Sequence, residues 1–366
     1  VEVFVITTKT PEMELTSEEL HGVKIYRVEP LNAMDNQFLN WVGGLNMAMA
    51  QKAFQLSNDI HFDIIHAHDW LVGEAAQTLA NYLKIPLITT IHATEHGRNG
   101  GVFTELQQFI HQKEDKLIQS SNQVIVCSEF MKEEVVETFS YPKERISIIP
   151  NGVDINSKTF GTVHQLHPLL QQEDRKIIFS LGRLVKEKGF DLIIEAAAKI
   201  ERNDLCFVIA GIGPMFQEYE KLIKKHSLEN TVYLIGFITD QQRNQLFEKC
   251  MMAIFPSRYE PFGIVALEAM KFSKPLIVSD TGGLRGINKH LETGLFMKPN
   301  NVESLVENIE MILNQPTLAE KMAENGKKLV DQFYSWQRVA EMTKRIYEDQ
   351  HLLFSINEGL NELNYK

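Results

Sequence analysis

The strongest constraint on the fold is a set of short, apolar, β-branched segments that alternate with helical ones, and do so in two series. Strand-like runs occupy residues 1–8, 22–28, 62–66, 85–90, 123–127 and 145–149, with a helical region from Met47 to Leu56 between the second and third. The second series covers residues 176–181, 205–210, 231–235, 252–255 and 275–279. Alternation of this kind builds a doubly wound parallel sheet, and two series build two. The 366 residues suffice for two full cores, and 44% hydrophobic with 23% charged residues is a globular balance. Pro150-Asn151-Gly152-Val153-Asp154 closes the first series, and residues 156–174 carry little periodicity. A hinge between a domain at 1–157 and a second at 158–334 is expected there.

Residues 255–270 concentrate the chemistry. They begin as the end of a buried strand, turn through Pro256 and Pro261, and enter a helix near Phe262 whose apolar positions recur at helical spacing. The free amides of Gly263, Ile264 and Val265 then face whatever lies beyond the strand, which is an anion site. Glu260 precedes the helix and Glu268 lies near its middle, roughly 8 Å along it at about 1.5 Å per residue. A nucleotide-sugar fits that spacing, with its diphosphate over the amides, sugar hydroxyls at Glu260 and ribose hydroxyls at Glu268. Two carboxylates on a solvated helix face, with Glu260 merely favouring the helix N-terminus, are an equally open alternative.

Phe255-Pro256-Ser257 with Tyr259, followed by Glu260-Pro261-Phe262-Gly263 and Leu267-Glu268, resembles the E-x7-E signature of glycosyltransferase family 4, which includes bacterial and archaeal glycogen synthases. With the motifs below, the resemblance covers nearly the whole chain. It implies an α/β fold of the GT-B kind, two Rossmann-like doubly wound domains facing a central cleft, donor mostly on the second and acceptor mostly on the first. It also implies that a last helix, around 335–349 with Trp336, Val339, Ile346 and Tyr347 on a helical period, returns to the first domain. That helix belongs to a C-terminal segment, 335–366, whose polar tail after Asp349 is expected to fray. Residues 1–8 look like the family's second strand, so a first strand, a glycine-rich loop and a helix, about 30 residues, are expected to be missing before them.

Gly182-Arg183-Leu184-Val185-Lys186-Glu187-Lys188-Gly189 follows the first strand of the second series, which puts its cations at the ligand-binding end of that sheet. Arg183 can grip a diphosphate with two parallel hydrogen bonds, and Lys188 adds a mobile point charge. The resemblance gives both residues to the donor phosphates, whereas the residues alone would also fit a solvated charge run. A departing nucleoside diphosphate accumulates negative charge, and Arg183, Lys188 and the helix amides answer it without a metal or other cofactor. No Asp-x-Asp stands at a strand end, and no metal-spaced set of histidines otherwise occurs.

His66-Ala67-His68-Asp69-Trp70 ends a strand, with both histidines on one face. A metal-dependent amidohydrolase begins in the same way, but the later strand ends do not supply the further His and Asp ligands it needs. The motif is more similar to the family's His-Asp-Trp, which implies an acceptor-side positioning role for Asp69. In Thr90-Ile91-His92-Ala93-Thr94-Glu95-His96-Gly97-Arg98, a lone His92 would ordinarily be structural. The resemblance places its side chain near the sugar hydroxymethyl and its carbonyl near the anomeric carbon. The Ala93 to Arg98 continuation is most similar to the glycogen synthase branch.

Gly211-Ile212-Gly213-Pro214 invites a nicotinamide reading, which fails because Phe216 stands at the third glycine position and Leu234-Ile235-Gly236 where an acidic ribose ligand belongs. The resemblance gives Gly213 to the donor side. Ser279-Asp280-Thr281-Gly282-Gly283-Leu284-Arg285 is either a tight turn or a donor contact.

A net charge of −11 argues against nucleic acid as a partner. No run reaches the about eighteen apolar residues of a membrane helix and no signal peptide opens the chain, so a cytoplasmic location is expected. Cys127, Cys206 and Cys250 lack CxxC spacing and read as reduced core thiols. The expected reaction is retaining transfer of glucose from ADP-glucose or UDP-glucose to the non-reducing end of an α-1,4-glucan. No carboxylate stands out as a covalent nucleophile, so front-face displacement is expected, with domain closure excluding water. The alternatives are a sibling transferase with another sugar or a lipid or small-molecule acceptor, and a nucleotide-sugar-binding protein without turnover.

Overall fold

The computed structural model describes residues 1–10, 15–31, 37–155, 175–200 and 202–364, with side chains to Ile356. The expected hinge, 156–174, lies outside them. Two compact units emerge: Val1–Cys127, Met131–Ile149 and Ala340–Lys366 form one, Ser128–Phe130 and Pro150–Val339 the other.

The chain first forms β1 (Val3–Thr8), β2 (Ser17–Leu20), β3 (Val23–Val28), α1 (Phe38–Ser57), β4 (Ile65–His68), α2 (Gly73–Leu83), β5 (Leu87–Ile91), α3 (Glu95–Asn99), α4 (Glu105–Ser120), β6 (Gln123–Val126), α5 (Glu129–Phe139) and β7 (Ile146–Ile148). These strands make two sheets rather than one. β4, β5, β6 and β7 lie side by side in that order and run parallel, whereas β3 sits between a parallel β1 and an antiparallel β2. β2 is a strand that the sequence pattern does not show, since Ser-Glu-Glu-Leu is short and polar. It exists because a two-residue turn at His21-Gly22 folds it back on β3. In the larger sheet His68 pairs with Thr90, so the ends of β4 and β5 are level and the residues that follow them become neighbours. The Gly43-Gly44 pair falls inside α1.

The second unit contains β8 (Lys176–Leu181), α6 (Phe190–Lys199), β9 (Leu205–Ala210), α7 (Phe216–Lys225), β10 (Val232–Leu234), α8 (Asp240–Lys249), β11 (Met252–Phe255), α9 (Ile264–Lys271), β12 (Leu276–Ser279), α10 (Leu284–Ile287), β13 (Leu295–Met297), α11 (Val302–Asn314) and α12 (Pro316–Phe333). Its strands are all parallel in the order β10-β9-β8-β11-β12-β13. This is the Rossmann order, in which ligands bind beyond the carboxyl ends of the strands where the order reverses. Here that point lies between β8 and β11, and the loops leaving them are 182–189 and 256–263. Phe207, Ile254, Ile277, Leu295 and Leu305 are among its buried core residues, each such side chain contributing roughly 1.5–3 kcal/mol.

The last helix, α13 (Trp336–Asn364), continues past Asp349 instead of fraying there. No proline interrupts this stretch, and Leu352, Leu353 and Phe354 are compatible with a helix. Within the first unit its Tyr347 hydroxyl lies 2.6 Å from His66 Nδ1, and Gln350 donates to Gln123. Among the described residues no helix is long and apolar enough to cross a membrane.

Candidate active site

In the second unit the loop after β8 and the turn after β9 extend the ladder of their strands. Gly182 N donates to Ala210 O at 3.1 Å, Leu184 N to Ile212 O at 2.9 Å, and Met215 N back to Leu184 O at 3.0 Å. Gly213 packs directly on that carbonyl, where a Cβ would fall 2.4 Å from the oxygen. One turn of 3-10 helix, Lys186–Lys188, follows. Arg258 then locks the loop after β11 onto it: its amide donates to Glu187 O, and its guanidinium donates to Lys186 O and to both oxygens of Asp191.

This lacing brings Lys188 and Glu260 together. Lys188 Nζ lies 2.6 Å from Glu260 Oε2, and Ser257 Oγ donates to the same oxygen at 3.2 Å. Glu260 is buried, so its charge depends on these two donors. The glycine turn after β12 supports it from behind, with Gly283 N donating to Glu260 O at 2.8 Å. Gly282, at φ 52, comes so close that a Cβ would meet that oxygen at 2.3 Å. Of the two readings of that turn, the close approach is to Glu260's own backbone.

Gly263 caps α9 at φ 108, with Leu284 Cδ2 only 2.6 Å from where a Cβ would be. Ala266 N and Leu267 N are bonded to Gly263 O, and the amides before them belong to the first turn of the helix, where no intrahelical acceptor exists. Glu268 lies within α9, mostly buried, with Arg243 Nη1 of α8 at 3.2 Å from its Oε1. Burial raises its pKa, Arg243 and Lys271 oppose the rise, and Asp240 adds to it. Arg183 is exposed, its ion-pair partner Glu187 standing 3.8 Å away, so the fold does not bring it to Glu260 as it brings Lys188.

The first unit gathers the other named residues. Asp69, at φ 58, accepts from His92 N on Oδ1 at 2.9 Å. His68 Nδ1 lies 3.1 Å from His92 Nε2, and the rings of His66, His68 and His92 stack in succession. His66 meets Thr90 Oγ1 at 2.7 Å on its other nitrogen. Burial, with the neighbouring His68 and His92, pushes the His66 pKa down to about 3, and His68 is lowered by burial and by His92. Both rings are thus biased to neutrality, suited to fixing the direction of His92. Among the described residues no group of three or more His, Cys, Asp or Glu could hold a metal ion.

Sequence reasoning passed over Arg243, Arg258 and Glu114. Arg243 and Glu114 lie on largely polar helices and Arg258 in a loop between aromatic and proline residues, and only burial or a distant partner marks each of them. Glu114 on α4 is buried and accepts from Glu95 N on both oxygens, tying down the start of α3.

A Rossmann-ordered sheet that carries a Lys-Glu pair at its switch point, in a chain with a second α/β unit, is the make-up of a GT-B fold. Residues 1–157 match the Glycosyltransferase Family 4 model and residues 165–329 the Glycosyl transferases group 1 model. The chain belongs to glycosyltransferase family 4. It is 34% identical to an uncharacterized glycosyltransferase of Methanocaldococcus jannaschii, over 95% of this chain and 89% of the relative. It is 30% identical to a glycogen synthase of Mycobacterium tuberculosis, over 85% of this chain and 76% of the relative. Its fold matches that of sucrose-phosphate synthase from Thermosynechococcus elongatus with a TM-score of 0.81 at 22% identity, over 97% and 90% of the two chains.

Proposed function

We propose that this glycosyltransferase moves glucose from ADP-glucose or UDP-glucose to the non-reducing end of an α-1,4-glucan, with retention of configuration. The observation that carries the reading is the Lys188–Glu260 pair beside the N-terminus of α9. The diphosphate lies over the amides of Gly263, Ile264 and Val265, with Lys188 and the exposed Arg183 taking up charge as the bond to the anomeric carbon breaks. When Lys188 turns to phosphate, Glu260 is released to accept from sugar hydroxyls. Glu268 accepts from the ribose, and Gly213 lets the backbone approach the donor. Asp69 holds the His92 backbone so that its carbonyl meets the anomeric carbon. The departing phosphate takes the acceptor proton, so the chemistry needs neither metal nor covalent intermediate.

The glucan acceptor rests on the Ala93 to Arg98 segment and on the glycogen synthase relative. Cys127, Cys206 and Cys250 are all buried, as core thiols in a reducing, cytoplasmic setting would be. The match to sucrose-phosphate synthase favours a second reading, a small phosphorylated sugar as acceptor. Labelled ADP-glucose and UDP-glucose, each offered with glycogen and with fructose 6-phosphate, decide between them. Label in glycogen supports the proposal, and label only in the small product replaces the acceptor. Binding of nucleotide-sugar without transfer to any acceptor overturns the enzymatic reading.

A further inference from the structure

We infer that Arg243 is a positioning residue for the nucleotide, acting through Glu268. This rests on the reading of Glu268 as the ribose ligand. Arg243 stands in the first turn of α8, a helix whose start is pinned by a reciprocal capping box between Thr239 and Gln242. Its Nη1 is shared by two carboxylates, Asp240 at 3.0 Å on its own helix and Glu268 at 3.2 Å on α9. Asp240 is almost fully exposed and Glu268 mostly buried, so the two contacts differ in kind. The exposed one steadies the guanidinium, and the buried one carries the consequence. Arg243 Nε is buried without a hydrogen-bond partner, so the guanidinium is held at this place although one of its donors goes unused.

A ribose offers two adjacent hydroxyls, which a carboxylate can accept together, whereas a protonated carboxyl has lost part of that acceptor capacity. Nη1 lies at one oxygen of Glu268 and leaves acceptor sites for a ligand. The charged groups around Glu268 are Arg243 and Asp240 from α8 and Lys271 from its own helix. Lys271 in turn faces Asp154 and Lys327, and burial lowers its pKa. Arg243 is therefore the main group opposing the burial that favours protonated Glu268.

The test measures binding of UDP and of ADP by calorimetry between pH 5.5 and 9, each variant read as a ratio to the unmodified chain so that the nucleotide's own titration cancels. Arg243→Leu should weaken binding several-fold toward the acid end of that range, with the loss shrinking as pH rises and Glu268 ionises. Arg243→Lys should restore most of the affinity, which a purely packing role would not do. With Glu268→Gln already present, Arg243→Leu should cost nothing further. Weakening by Glu268→Gln with a normal affinity and pH profile in a folded Arg243→Leu overturns this inference alone. Equal losses from Arg243→Leu with and without Glu268→Gln also overturn it. Normal binding by Glu268→Gln overturns the ribose reading and this inference together.

Discussion

Glu260 is a carboxylate withdrawn from water and given one ammonium and one hydroxyl in exchange. Removing Lys188 alone leaves that charge buried and unpaired, a loss of about 3 kcal/mol. Lys188→Met should therefore lower both stability and transfer, and adding Glu260→Gln should recover most of the melting temperature but none of the activity. Glu260→Gln by itself should keep the fold and lower kcat/KM on the order of a hundredfold or more. Steady-state kinetics alongside thermal melts would expose an error in either part. Glu114 makes a different prediction. Burial raises its pKa to about 8, above the ordinary carboxylate value of the unfolded chain. The folded state thus holds an extra proton between those values, so the stability it contributes is complete in acid and lost as pH rises through about 8. Glu114→Gln should melt like the parent near pH 5 and at a higher temperature at pH 9. A constant difference across that range would rule this out.

At the scale of elements, α9 is short, and its start is defined by a conformation that only glycine adopts cheaply. Gly263→Ala meets both a positive φ and the Leu284 side chain, a strain of roughly 1–3 kcal/mol. The expected result is a lower melting temperature and weaker UDP binding together, because the amides that would face the phosphate move with the cap. Loss of stability with unchanged UDP affinity would separate α9 from the anion site. The positions of strands and helices were largely legible in the sequence, because periods of two and 3.6 are local properties. β2 and β13 were not: the first is polar and both are short, so each is a strand only by virtue of the neighbour it pairs with.

At the scale of the molecule, the first unit is closed by residues from the far end of the chain. Tyr347 and His66 lie 281 positions apart, and their contact ties α13 to the end of β4. Removing residues 340–366 should leave His66 short of a partner and lower the protection of β4 and β5 against amide exchange, leaving β8 and β11 protected. Unchanged exchange in β4 would show that α13 adds nothing to that sheet. Tyr347→Phe should reproduce a small part of the effect, about 1 kcal/mol.

The sequence by itself determined the two series of strands and helices, the glycine and proline turns that end them, and the family, since all of these are written in short stretches of neighbouring residues. Only the tertiary structure decided that the first series splits into two sheets and that the second reverses its order between β8 and β11. It also chose Lys188 over Arg183 as the cation on Glu260, and Arg243 as the partner of Glu268. Those choices depend on strand order and on how loops from different strands lace together, and a local pattern of residue types carries neither.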